Sequence, residues 1–324
     1  MIKIKKPGLF TTVQDLGRFG FYDQGLAPSG ALDPNSYRIA NALVGNQQGA
    51  AVLEMAYIGP EIEFTENAVI AVTGANMVPK VNGQTKNLWE TIALKAGDVL
   101  SFKNIAGGAR AYLAVKGGID VPLVMGSYST YTPSGIGGYK GRALKAGDEL
   151  NIGKLSEKDV KIGTNVSEKI SLNLGHHFDL RIVGGLCDYR LSEKGKHTLS
   201  HADFTITSMA NRVGYRIKLT EPIDLIEREQ PFGAGSSQTN VVEVGYPIGS
   251  LHLSGQTQPI ILLNDAVTVG GYATIATIIS CDLNLIAQAG PGDILNFHYV
   301  TVDEAMEARR ANATYVQNII ASIS

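Results

Sequence analysis

Asp265 lies in the most chemically suggestive stretch of the chain, SLHLSGQTQPIILLNDAVTVGGY from Ser250 to Tyr272. The apolar run Ile260 to Leu263 reads as a buried strand, and a carboxylate just beyond a strand end is rigidly held. Orienting a substrate or moving a proton requires such placement. Gly270 and Gly271 permit close backbone approach, and Tyr272 adds an aromatic face with a hydroxyl. Upstream, Arg212 and Arg216 of NRVGYR offer planar guanidinium forks suited to a carboxylate or phosphate. A Gly-rich loop near the start brings Asp15, Arg18, Asp23 and Gln24 together in sequence. Each candidate also has a plain structural role. Asp265 can cap a turn through its own backbone, and the two arginines can serve as partners of surface acids. Arg18 and Asp15 can pair to organise their loop. Glu54 reads equally as a buried acid or as a solvated strand end.

Other chemistries find little support. His197 and His201 have H-x-x-x-H spacing and His176 and His177 are adjacent, but neither pair comes with a Cys or carboxylate pattern, so no metal is predicted. No G-x-S-x-G is present, and Ser236-Ser237 in GAGSSQT reads as a flexible loop. Neither GIGGYKGR nor GAGSSQT completes a P-loop, and neither a strand-led G-x-G-x-x-G nor a Met-Lys-Met biotin attachment sequence occurs. Any ATP used would therefore need a partner or an interface to supply its site. With 28 basic and 30 acidic residues the formal charge is −2, which gives no footprint for nucleic acid. The absence of a window of about 18 apolar residues argues against a membrane span. The opening MIKIKKPG is too short an apolar run for a signal peptide, so the chain is expected in the cytoplasm. Cys187 and Cys281, the only cysteines, fit a reducing compartment and small core positions.

The elements that must hold these residues are mostly strands. A chain of 324 residues, 44% apolar and 18% charged, is long enough for two soluble cores. Short alternating runs punctuated by its 37 glycines outnumber helical patterns. Strands are predicted over Val69 to Val72, Val99 to Phe102, Ala111 to Val115, Leu180 to Val183, Gly214 to Leu219, Ile260 to Leu263, Ile275 to Ile279 and Ile294 to Tyr299. Two helices are predicted. One starts at Asp33-Pro34, with Tyr37, Ala40 and Val44 on one face and Gly45 at its stop; the other opens with Thr301 and Glu304 in capping-box spacing. KAGDVLSF, KAGDELNI and GPGDILNF, at residues 95–102, 145–152 and 290–297, form a weak repeat that turn chemistry alone explains. The polar stretch from Leu155 to Lys169 reads as a linker. The expected organisation is a β-rich lobe over 1–155, a linker over 156–170, a β-barrel lobe over 171–302 and a closing helix over 303–324.

The opening segment PGLFTTVQDLGRFGFYDQGLAPSGALDPNSYRIANALVGN resembles the start of the KipA family. That family includes the C subunit of 5-oxoprolinase and the second-subunit half of the urea amidolyase carboxyltransferase region. Its opening pattern is met by Gly8, Thr11, Thr12, Gln14, Asp15, Gly17, Arg18, Gly20, Gly30, Ala31, Asp33 and the run Leu43 to Asn46. The resemblance returns at Arg212 to Arg216, at Pro259, Ile260, Leu262, Asp265, Thr268 and Gly270 to Tyr272, and at Ala287-Gln288 with Pro291, Gly292 and Phe297. It departs at His252, where the family has Gln, at Ser254 for Pro, at Val267 for Gln and at Gly185-Leu186 for a Gly-Pro step. The resemblance implies a mainly β fold of cyclophilin-like β-barrel lobes with few helices. It also implies a component of an ATP-dependent 5-oxoprolinase that works with two partners, one KipI-like and one LamB/YcsF-like. In that setting Asp265 would orient substrate or transfer a proton, Arg212, Arg216 and Arg18 would bind substrate, and Gly270, Gly271 and Tyr272 would shape the pocket. The same family admits two other expectations: half of a biotin-dependent urea or amide carboxylase, and a regulator that counters a kinase inhibitor.

Overall fold

The computed structural model describes residues 1–154 and 158–323. The chain divides into two compact units, one of Met1–Phe19, Ser29–Leu174 and Ala313–Ser324, the other of Gly20–Pro28 and Gly175–Asn312. All eight predicted strands are present to within three residues of their ends, and Pro34–Leu43 and Val302–Ala321 are helical as their caps imply. The mainly β reading with few helices therefore holds, and the second unit contains a closed barrel.

The first unit contains a seven-stranded and a five-stranded antiparallel sheet. Strand Arg110–Val115 shows how the sequence builds it: every residue is buried, because both faces of its sheet are covered. Ala111, Leu113 and Val115 join Ile2, Ile4, Ile62 and Phe64 in one core, while Tyr112 and Ala114 join Tyr37, Ala40 and Leu43 of helix Pro34–Leu43 in a second. The period-2 pleat divides the residues between the two cores. Val316 and Ile319 of the last helix complete the second core.

Residues 155–157 of the predicted linker lie outside the described residues. Beyond them Asn165 bridges to Glu90, Val166 is buried in the second core, and the Tyr315 hydroxyl accepts from Ser171 N and donates to Lys169 O. The Gly-Asp repeat is one turn built three times. Asp98, Asp148 and Asp293 each accept, at 2.7 Å, the backbone N–H three residues back, from Lys95, Lys145 and Gly290.

In the second unit seven strands close in the order His177–Gly184, Thr274–Ile278, Ser250–His252, Ile260–Leu262, Gly214–Lys218, Phe204–Ala210 and Ile294–Tyr299. The last pairs in parallel with the first. Phe178, Leu180, Ile182, Phe204, Ile217, Leu295 and Phe297 are all buried, and the rings of Phe204 and Phe297 meet edge to face at 4.9 Å. Two helices escaped the sequence reading, Glu193–His201 and Leu283–Gln288. The first has a single large apolar residue, Leu199, and carries Gly195, which it needs because a Cβ there would meet Asp224 O at 2.1 Å. The second is only six residues long. No helix among the described residues is long and apolar enough to cross a membrane.

Candidate functional site

Alternation along the barrel strands sorts the candidates onto two faces. Tyr215, Ile261, Leu251 and Ala276 are register neighbours across four strands, and all four are fully buried. They form a rung of the barrel interior. Next to it Arg216, Ile260 and His252 pair in that order, and the pleat turns them to the opposite face; at His252 the register to the next strand slips by one residue, so that it pairs with Thr274, two residues from Ala276. Arg216 and His252 thus stand on the outer wall, with Ile260 between them. Arg216 Nη1 donates to Ser254 Oγ at 3.4 Å. His252 and Thr274 are buried, as is Ser250, two residues before His252 on the same strand face. His252 Nε2, Thr274 Oγ1 and Ser250 Oγ have no hydrogen-bond partner among the described residues. Burial pushes the His252 pKa down to about 4, which leaves the imidazole neutral near pH 7.

Tyr246 covers this rung. Its ring lies 3.7 Å from that of His252, centroid to centroid, and packs with Leu262 and Ala266. The Tyr246 hydroxyl accepts from Tyr272 N at 2.7 Å and donates to Tyr272 O at 3.3 Å. It thereby ties the barrel to a two-stranded ribbon, Asn240–Gly245 paired with Val269–Tyr272. Gly270 is required in that ribbon, since a Cβ would stand 2.8 Å from the Tyr246 ring. The Tyr22 hydroxyl donates to Tyr246 O, and burial raises the pKa of both tyrosines. Tyr22, Asp23, Glu243, Tyr246 and Thr268 line a cleft of about 510 Å³.

Asp265 and Arg212 come together as a buried, two-point ion pair. Arg212 Nε donates to Asp265 Oδ2 and Nη2 to Oδ1, both at 2.9 Å, and Asp265 N donates to Arg212 O at 3.0 Å. Leu263 N also donates to Val213 O, so the pair fastens the turn after Ile260–Leu262 onto the hairpin that leads into Gly214–Lys218. Both carboxylate oxygens of Asp265 face a guanidinium, which suits positioning better than proton transfer.

Arg18 belongs to the first unit, whereas Arg212, Arg216, Asp265 and Gly270 to Tyr272 belong to the second. It is 1% exposed, and its Nε and Nη2 donate to Val124 O and Ser129 O, each at 3.0 Å. Its neighbour Asp15 accepts from Gly17 N at 2.8 Å, Tyr128 N at 2.6 Å and the hydroxyls of Ser127 and Ser129. Of the two readings of Glu54, the buried acid is correct: it accepts from Leu32 N and Tyr112 Oη, both at 2.9 Å. Asp23 lines the cleft of the second unit.

The sequence reading missed His252 as a site residue, noting it only as a departure, and gave no role to Ser250, Thr274 or Tyr246. His197 and His201 sit on one exposed helix with parallel rings 4.1 Å apart. Their in-plane lone pairs therefore run side by side and do not converge. No group of three or more His, Cys, Asp or Glu side chains among the described residues is placed to hold a metal ion.

The sequence profile of the carboxyltransferase domain, subdomain A and B, matches residues 24–299. The chain is 35% identical to the 5-oxoprolinase C subunit of Escherichia coli K12 over 98% of this chain and 97% of that one. It is 30% identical to urea amidolyase of Saccharomyces cerevisiae over 98% of this chain and 18% of that one. The crystal structure of Kluyveromyces lactis urea amidolyase superposes with a TM-score of 0.91 at 28% identity, covering 98% of this chain and 20% of the other. This chain thus spans about a fifth of the urea amidolyases it matches and nearly the whole of the bacterial subunit. On these matches it belongs to the family of carboxyltransferase domains built from subdomains A and B.

Proposed function

We propose that this chain is the C subunit of a bacterial ATP-dependent 5-oxoprolinase, opening 5-oxoproline to glutamate together with partner subunits in the cytoplasm. The observation that carries this reading is the end-to-end correspondence with the Escherichia coli protein of that name. A lactam carbonyl is a poor electrophile, so phosphorylation by ATP would activate it, and fixed cations and donors would then stabilise the developing oxyanion. Since the chain has no P-loop pattern, the ATP site is assigned to the KipI-like partner, the LamB/YcsF-like partner or an interface with them. Arg216 would hold the substrate carboxylate, a role its place on the barrel's outer wall supports. The Arg212–Asp265 pair would fix the hairpin carrying Arg216, and Gly270, Gly271 and Tyr272 would shape the cover above. No metal and no carrier biotin enter this scheme.

The structural match to urea amidolyase favours a second reading, the carboxyltransferase half of a biotin-dependent urea or amide carboxylase. The two are separated by assaying the chain with its co-purifying subunits. The 5-oxoprolinase reading expects 5-oxoproline-dependent release of ADP and glutamate with no biotinylated protein in the preparation. Urea- and bicarbonate-dependent ADP release with a co-eluting biotin carrier would replace it with the second.

A further inference from the structure

We propose that the cleft lined by Tyr22, Asp23, Glu243, Tyr246 and Thr268 is a binding site for an alkylammonium group, carried by a free amine or by a lysine of a partner subunit. The cleft encloses about 510 Å³ and lies wholly within the second unit, beside the short turn Tyr22–Gln24 and the ribbon of Asn240–Gly245 and Val269–Tyr272. That volume suits a small organic molecule or one long side chain. The site does not depend on the reaction proposed above.

Asp23 and Glu243 are the charged residues of the wall, and no Lys, Arg or His joins them. Both are exposed, and neither side chain has a hydrogen-bond or ion-pair partner among the described residues. Surface acids elsewhere are matched: Glu61 pairs with Lys6 and Glu63 with Lys5. A cation entering the cleft therefore meets two carboxylates and displaces no cation of the protein. The rest of the wall favours an organic cation. Tyr22 and Tyr246 contribute aromatic rings, which attract an ammonium through their quadrupole, while Pro247 and Val269 offer apolar surface to an alkyl stem. Burial raises the pKa of both tyrosines, so their phenols stay neutral and the charge rests with the two acids. A divalent metal wants more oxygen or nitrogen ligands than this, and no group of three His, Cys, Asp or Glu among the described residues is placed to hold one.

Thr268 is an independent sign of a polar ligand. It is 6% exposed, it belongs to the cleft wall, and its hydroxyl has no hydrogen-bond partner among the described residues. Most buried side-chain hydroxyls are bonded. An ammonium brings three N–H donors, and the lone pairs of a hydroxyl can accept from one of them. The frame around Thr268 is already fixed. Its carbonyl oxygen accepts from Tyr246 N at 2.8 Å, and Tyr246 O accepts in turn from the Tyr22 hydroxyl, next to Asp23 in the chain. The ordinary alternative is a solvated groove with two surface acids at its rim. The two readings differ in whether an ammonium binds better than a neutral molecule of its shape.

The test is ligand-observed saturation-transfer NMR on the full chain with butylammonium, and with 1-butanol as the neutral molecule of similar shape. The wild type should bind butylammonium about tenfold more tightly than butanol, or better. Asp23→Asn and Glu243→Gln should keep the wild-type melting temperature, since both positions are exposed, and each should weaken butylammonium by about threefold or more. The double variant should bind it no better than butanol. Thr268→Val should weaken butylammonium and leave butanol unchanged. Association with the co-purifying subunits then separates the two sources. For a partner's lysine, saturating butylammonium should weaken that association where equal sodium chloride does not, and the double variant should weaken it alike. For a free amine, neither the amine nor the double variant should change it. Both results stand on the same ammonium site. Equal binding of butylammonium and butanol by the wild type, or unchanged butylammonium binding in the double variant, overturns it.

Discussion

His252 links the protonation state of one ring to the packing of another. In the unfolded chain an imidazole titrates near 6.5, whereas burial holds the folded one at about 4. Between those values the unfolded state binds the proton and the folded state does not, so stability rises with pH across the window and levels off above it. The expected slope is up to about 1.4 kcal/mol per pH unit from this group. Urea unfolding of the wild type and His252→Gln at several pH values from 4 to 7 checks it: the variant should lose that part of the slope. Parallel curves would show that His252 is protonated in the folded protein. Asp265 behaves as a different kind of residue. Both its oxygens meet Arg212 out of contact with water, and removing one member of such a pair strands the other charge at a cost of about 3–5 kcal/mol. Asp265→Asn should therefore unfold at markedly lower urea, and the double change Arg212→Met with Asp265→Leu should regain much of the loss. An Asn variant as stable as the wild type would return Asp265 to chemistry.

At the scale of elements, caps and alternation carry most of the fold. Helix Pro34–Leu43 begins where Asp33 accepts from Ser36 N at 3.0 Å and Ser36 Oγ at 2.6 Å, with Pro34 in its first turn. Asp33→Ala should cost about 1–2 kcal/mol in chemical denaturation, because a buried cap leaves the helix N–H groups unpaired. No change would mean that Tyr37, Leu43 and their sheet partners hold the helix unaided. This helix and the strands were legible in the sequence because their signals are local: a cap three residues from the N–H that donates to it, or apolar residues two apart. Helix Glu193–His201 was not legible, since its Gly195 answers to a distant carbonyl, Asp224 O. The site rung was not legible for the same reason. Arg216 is 36 residues before His252, and only the barrel's strand pairing, through Ile260, brings the two onto one face. The sequence singled out Arg212, Arg216, Asp265 and Gly270 as candidates. It gave no sign that Asp265 would pair with Arg212 or that Arg18 would be buried in the first unit against Val124 O and Ser129 O.

At the scale of the whole molecule, the same fold occurs in two contexts. It is nearly the full length of a bacterial subunit and about a fifth of a yeast urea amidolyase. A module within a long chain meets its neighbours at an effective concentration set by the linker, commonly in the millimolar range. A module that is a chain of its own must instead find its partners by affinity. If this chain works as a separate subunit without its own ATP site, its activity must depend on partner concentration in a way that a single-chain enzyme's does not. Alone, it should release no ADP with 5-oxoproline and ATP. Titrating in the co-purifying subunits at fixed chain concentration should raise turnover along a saturating curve, and diluting the mixture below the assembly Kd should lower activity per molecule. Coupled detection of ADP at several dilutions measures both. Turnover by the chain alone, or a specific activity unchanged by dilution over two or three decades, would show that the catalytic machinery is complete within these 324 residues.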